Sequence, residues 1–192
     1  MGSKFNSEQT VEIEGGALEG SPNGDSKTYL CIDLKSFYAS VECADRGLDP
    51  FTTNLVVADP TRSANTICLA ITPALKARGV KNRCRLGDIP DGIEFTCAMP
   101  RMSRYMEVSA NIVGAYQRYV SPDDMHVYSI DESFIDATPY LRLYSLSAKS
   151  FARTLMNAAF ECAGVAATAG IGPNLLMAKV ALDVCAKHAP DG

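Results

Sequence analysis

The chain has 192 residues, 47% of them hydrophobic, enough for one substantial core with a small satellite, and its net charge of −4 argues against a chain built mainly to grip nucleic-acid phosphates. No run of 18 apolar residues and no basic-then-apolar leader occurs, so neither a membrane partner nor secretion is expected and the expected location is cytoplasmic. Seven cysteines, an odd number without CxxC spacing, point to reduced, mostly buried thiols rather than a disulfide frame or a zinc site.

Residues 1–28 are rich in Gly, Ser, Glu and Asn, carry a net charge of −3 and lack periodicity, the composition of a disordered tail. The fold is expected to begin at Tyr29. "TYLCIDL" reads as a buried strand, and Phe37, Val41, Ala44 and Leu48 then mark a helix face. Between Pro50 and Pro100 come two short strands, "NLVVA" and "TICLAI", a helix around "PALKARG" and a turn-rich "LGDIPDG", which together suggest an inserted subdomain. Residues 60–105 hold eight basic side chains against three acidic ones, a basic region inside an acidic chain. Met102, Met106, Ser109, Ile112 or Val113, Tyr116 and Val120 predict a long amphipathic helix.

"MHVYSI" and "SFIDAT" read as two strands joined by a tight turn at Asp131 and Glu132. Ala148, Phe151, Leu155, Ala159 and Phe160 mark another helix. "VAATAGI" is a strand, and Asn174 can cap a last helix running through Lys187. Without the insert the order is β, α, β, β, α, β. This predicts an α+β fold of the ferredoxin-like split βαβ type, an antiparallel sheet with helices on one face.

Period-2 alternation puts Leu30 and Ile32 on one face of the first strand and Cys31 and Asp33 on the other; it likewise separates Tyr128 and Ile130 from Ser129 and Asp131. Each Asp is thus expected on the face that helices leave open, and the split topology makes the two strands neighbours. Close carboxylates must bind a proton or a cation, and no Lys or Arg adjoins either in sequence. An all-oxygen set of Asp33, Asp131 and Glu132 suits Mg²⁺ or Mn²⁺. The plainer alternative is that adjacent acids are solvated turn residues and Asp33 a helix cap.

The stretches "CIDLKSFYASVE", "ITPALKARGVK", "VYSIDESFIDAT" and "GIGPNLLMAK" together resemble the Y-family translesion DNA polymerases, in the UmuC-like rather than the DinB-like branch, from about Tyr29 to the end of the chain. The resemblance implies a palm at 29–36 and 100–182, fingers at 37–99 and the start of a truncated thumb at 183–192. It implies that Asp33, Asp131, Glu132 and the carbonyl of Leu34 hold two Mg²⁺ ions, with Mn²⁺ an alternative, for transfer of a dNTP to a primer 3′-hydroxyl on template DNA. Tyr38 matches the family's steric gate against a 2′-hydroxyl, Phe37 the same pocket wall, and Lys76 a basic contact to the incoming triphosphate. From the residues alone, Tyr38 reads first as a core aromatic on the helix after the strand, and Lys76 equally as a solvated helix lysine.

Two positions depart from the family pattern. Ala70 stands where many relatives have a hydroxyl residue, and Leu175 where DinB-like members have Lys, so weakened nucleotide affinity is expected. The duplex-gripping domains and any sliding-clamp contact would lie beyond residue 192, and the 192 residues read as an N-terminal fragment. Two rival readings are an inactive palm-and-fingers module that binds metal, nucleotide or a polymerase partner, and a nucleotidyl cyclase on the same palm; a cyclase would carry a Gly-Gly turn where this chain has "SIDES".

Overall fold

A computed structural model describes residues 27–186. The predicted tail lies outside the described residues except for Lys27 and Thr28, and Thr28 is tied down: its carbonyl accepts from the Ala137 N–H at 2.8 Å and its N–H donates to Thr138 Oγ1 at 2.8 Å. Residues 187–192 of the predicted thumb start also lie outside them. No helix among the described residues is long and apolar enough to cross a membrane.

The described residues divide into two compact units, one formed by 27–33, 113–159 and 167–186, the other by 34–112 and 160–166. The first unit is built on a four-stranded sheet of β1 (Tyr29–Leu34), β5 (Met125–Val127), β6 (Glu132–Asp136) and β7 (Ala167–Gly172), ordered β5-β6-β1-β7. This is the strand order of the split βαβ fold, as expected. Register pairs Leu30 with Ile135, Cys31 with Phe134, Ile32 with Ser133 and Asp33 with Glu132. Leu30, Ile32 and Ile135 are fully buried on one face because alternation sends every second apolar side chain the same way.

The opposite face is not left open as expected. Helix α6 (Leu175–Val180) and the π-turn Ala181–Cys185 lie on it, with Ala178 and Leu182 packed against Cys31 and Phe134. Glycine makes this approach feasible: a Cβ on Gly170 would strike the backbone of Ala178 and Leu182, and one on Gly172 the backbone of Met177 and Ala178. Asn174 caps α6 as predicted, its side chain accepting from the Met177 N–H at 2.9 Å.

The hairpin also differs from expectation. The Tyr128 and Ser129 N–H groups both donate to the Glu132 carbonyl, at 3.0 and 3.1 Å. The connection is therefore Tyr128–Asp131, and Glu132 is the first residue of β6 rather than part of the turn. Helix α4 (Thr138–Leu143) follows, too short to show a period in sequence. On α5 (Ala148–Ala163) Phe151, Leu155 and Ala159 are buried as predicted, whereas Phe160 is exposed.

The second unit holds α1 (Phe37–Ala44), α2 (Pro73–Ala77), the larger part of α3 (Met102–Tyr116) and a small sheet of β2 (Leu55–Val57), β3 (Ala70–Ile71) and β4 (Thr96–Ala98) in the order β3-β2-β4. Val56, Ala58, Cys68, Ile71, Leu75, Val80 and Ile89 form its core. The predicted "TICLAI" strand shrinks to β3 and a lone Ile67–Arg85 bridge, while β4 runs parallel to β2, a long-range pairing without a local signature. Helix α1 ends at Ala44, so Leu48 lies beyond it. The buried face of α3 is Tyr105, Val108, Ser109, Ile112, Ala115 and Tyr116, rotated so that Met102 and Met106 face outward. Both stripes satisfy helical spacing; Tyr105 takes the inner place because its hydroxyl meets a buried acid there.

Candidate active site

Asp33 is the penultimate residue of β1, and Glu132 opens β6 directly across from it. Opposed residues of an antiparallel pair project to the same face, so the carboxylate paired with Asp33 is Glu132 and not Asp131, which precedes the strand. Both Asp33 and Asp131 are half-buried. Asp131 Oδ1 accepts from Ser129 Oγ at 2.8 Å.

Glu132 is buried, at 8% exposure. Its two oxygens divide their partners: Oε1 accepts from Cys31 Sγ at 3.3 Å and Oε2 from Lys179 Nζ at 2.7 Å. Lys179 also reaches Asp183 Oδ2 at 3.2 Å. Burial alone would lower the Lys179 ammonium, but its hydrogen bonds to Glu132 and Asp183 outweigh this and hold it above the usual lysine range. Burial, reinforced by the Glu132 hydrogen bond and charge, pushes the Cys31 thiol far up, so it serves as a neutral donor. Neither Lys179 nor Cys31 was among the sequence-predicted site residues. Cys31 was legible as the residue sharing Asp33's face; Lys179 follows the Asn174 cap by one turn, but its target lies 47 positions away.

The donor set of Asp33, Asp131 and Glu132 is entirely hard oxygen, which suits Mg²⁺ or Mn²⁺, and the Lys179 ammonium already stands in as a cation against Glu132. Among the described residues no three His, Cys, Asp or Glu side chains are gathered as a ready metal cage. Glu132 is instead turned to Lys179, and Asp131 to Ser129.

The other predicted residues belong to the second unit. Leu34 and Phe37 are buried. Ser36 between them has φ 48°, a left-handed conformation costly for a residue with a side chain, which breaks the chain sharply from β1 into α1. Tyr38 is half-buried and stacks on Tyr105 with ring centroids 4.5 Å apart and planes 18° from parallel. The Tyr105 hydroxyl donates to Glu42 Oε1 at 2.7 Å. Lys76 is exposed on α2, and burial, followed by the charge of Lys76, lowers the Lys35 ammonium. Ala70 is buried in β3, and Leu175 is half-exposed at the start of α6.

The profile of the impB/mucB/samB family matches residues 32–183. The Bacillus subtilis protein UvrX, described as a UV-damage repair protein, is 36% identical over 167 residues, covering 86% of this chain and 39% of that protein. DNA polymerase IV 2 of the same organism is 35% identical over 170 residues, covering 86% and 40%. The chain thus spans about two fifths of the length of these relatives. The fold is shared with a solved Y-family DNA polymerase chimera at a TM-score of 0.70 and 22% identity, over 86% of this chain and 47% of that one.

Proposed function

Because this chain belongs to the impB/mucB/samB family, the Y-family polymerases, we propose that it is the palm-and-fingers portion of a translesion DNA polymerase that adds a dNTP to a primer 3′-hydroxyl on template DNA. In this reading residues 29–36 and 100–182 serve as palm and 37–99 as fingers, with DNA and nucleotide as partners. The observation that carries it is the Asp33–Glu132 cross-strand pair on the two central strands, with Asp131 the residue immediately before Glu132.

Asp33, Asp131, Glu132 and the carbonyl of Leu34 are the groups that would hold two Mg²⁺ ions. Bound there, the metal would supply Lewis-acid activation of the primer hydroxyl and charge neutralisation of the departing pyrophosphate. The chain's own contribution is positioning. Cys31 donates its thiol to Glu132 Oε1, Lys179 neutralises the carboxylate through Oε2, and the β1–β6 register sets Asp33 opposite it. Tyr38, braced by the Tyr105 ring, is the group that would exclude a 2′-hydroxyl, with Phe37 beside it at 5.7 Å between ring centroids. Lys76 would neutralise triphosphate charge.

Metal-dependent primer extension by the full-length gene product tests this reading. Extension is expected in the wild type and absent from Asp131→Ala and Glu132→Ala proteins that retain wild-type circular dichroism. Wild-type rates in those variants would refute the assignment. Nucleotide binding without any extension by the wild type would favour an inactive binding module.

A further inference from the structure

Glu132 is a buried carboxylate whose charge is met, among the described residues, by one cation, Lys179 Nζ at 2.7 Å. That lysine is not on a wandering segment. It sits in α6, which Asn174 caps and which Gly170 and Gly172 allow to rest directly on β7, so the origin of its side chain is set by backbone packing. A second carboxylate, Asp183 Oδ2, already lies 3.2 Å from the same nitrogen and is 43% exposed. Lys179 therefore has two acceptors, one buried and one facing water, and can pass from the first to the second without losing an ion-pair partner. Glu132 would keep the neutral Cys31 thiol at 3.3 Å and be released to face Asp33 across the ladder.

Resting on the reading of Glu132 as a metal ligand, we propose that Lys179 is the resident counter-cation of Glu132, displaced when a divalent ion enters, and that Asp183 receives it. The physical reason is that a buried carboxylate is costly without a cation, so something must neutralise Glu132 before metal arrives. A lysine does this with a point charge on a flexible stem, which can swing away more readily than a bidentate arginine clamp. The device also sets a sign: Lys179 opposes metal binding, and Asp183 assists it.

The test is Mn²⁺ binding, read by loss of the free-ion electron paramagnetic resonance signal, which needs neither DNA nor turnover. Lys179→Met is expected to tighten Mn²⁺ binding by about tenfold, the scale of one charge-assisted contact. Asp183→Asn is expected to weaken it several-fold, because Lys179 then has only Glu132 to hold. Simple removal of charge near the site would give the same two signs, so the double variant decides: in the Lys179→Met background, Asp183→Asn should have no further effect. An Asp183→Asn effect that persists undiminished there overturns the hand-over, and weaker binding in Lys179→Met overturns the displacement. Should Lys179→Met melt far below wild type, Lys179→Gln, which retains a donor without the charge, is expected to show the same tightening. Glu132→Gln separates the two levels of inference: unchanged Mn²⁺ affinity in that variant would defeat the metal-ligand reading itself, whereas weakened affinity leaves the Lys179 result to be judged alone.

Discussion

Two buried glutamates, one in each unit, are solved in opposite ways. Glu42 on α1 is fully buried and saturated: Arg101 donates to both its oxygens at 2.9 and 3.0 Å, Tyr105 donates its hydroxyl at 2.7 Å, and Arg46 adds a further bond. Arg101 and Arg104 also clamp Asp45, joining α1 to α3. Burial would raise the Glu42 carboxyl, but these donors, Arg101 foremost, outweigh it and hold it below the usual range. Glu132 has one lysine and one thiol. A carboxylate enclosed by guanidinium forks has no reason to move, whereas one held by a single ammonium that has a second acceptor within reach can change partner. The first arrangement builds a scaffold and the second leaves a site.

This contrast is best broken on function. Glu132→Gln should reduce primer extension by roughly a thousandfold or more, the loss expected when a group stabilising the reacting charge is removed. Glu42→Gln, measured in the same assay below its melting point, should stay within about tenfold of wild type. Equal losses would mean that both acids serve the chemistry.

Stability should order the pair the other way. Glu42→Ala leaves the Tyr105 hydroxyl buried without its acceptor and frees arginines that are partly solvated, for a cost of about 2–4 kcal/mol. Glu132→Ala should cost no more than about 1 kcal/mol, because Lys179 retains Asp183 and water. Urea midpoints of the two variants decide the order.

Acid sharpens it further. The folded-state pKa of Glu42 is depressed, so its contribution is fully present above the unfolded carboxylate value of about 4.3 and is lost as pH falls through the folded value. The thermal midpoint should thus fall steeply below about pH 4, and Glu42→Gln should flatten that fall. An unchanged slope in the variant would assign the acid lability elsewhere.

Under the proposed function, the Glu42 network would act indirectly, through the Tyr105 ring on which Tyr38 stacks. Tyr38→Ala should lower discrimination against ribonucleotides by about tenfold to a hundredfold, the scale of one lost steric contact; unchanged sugar selectivity would make Tyr38 a packing residue. The smallest effect is at α6: Asn174→Ala should cost about 1 kcal/mol in stability, the usual worth of an N-cap. A shift near zero would mean that the glycine-permitted seat on β7 alone holds the helix.

Much of this architecture was legible along the chain. The strand of β1, the apolar lead-in to "SIDES", the Asn174 cap and the βαββαβ order all follow from local periodicity and capping chemistry, which act over a few residues. The misreadings share one cause. Alternation carried through residues 128–131 placed Asp131 beside Asp33, but a pair of N–H groups closing on the Glu132 carbonyl ends that strand at Val127 and shifts the partnership to Glu132. Met102 and Met106 fit the helical period as well as Tyr105 and Val108 do, and the buried Glu42, which accepts from the Tyr105 hydroxyl, chooses between them.

By itself the sequence determined that three acids stand at the ends of two apolar strands, in an order of elements that makes those strands neighbours. Tertiary structure alone decided which acid faces which, that α6 covers the Cys31 face, and that Lys179 and Arg101 each find a glutamate 47 and 59 positions away. The reason is physical: hydrophobic period and turn chemistry are short-range, while the neutralisation of a buried charge depends on whichever cation the packed backbone brings within hydrogen-bond reach.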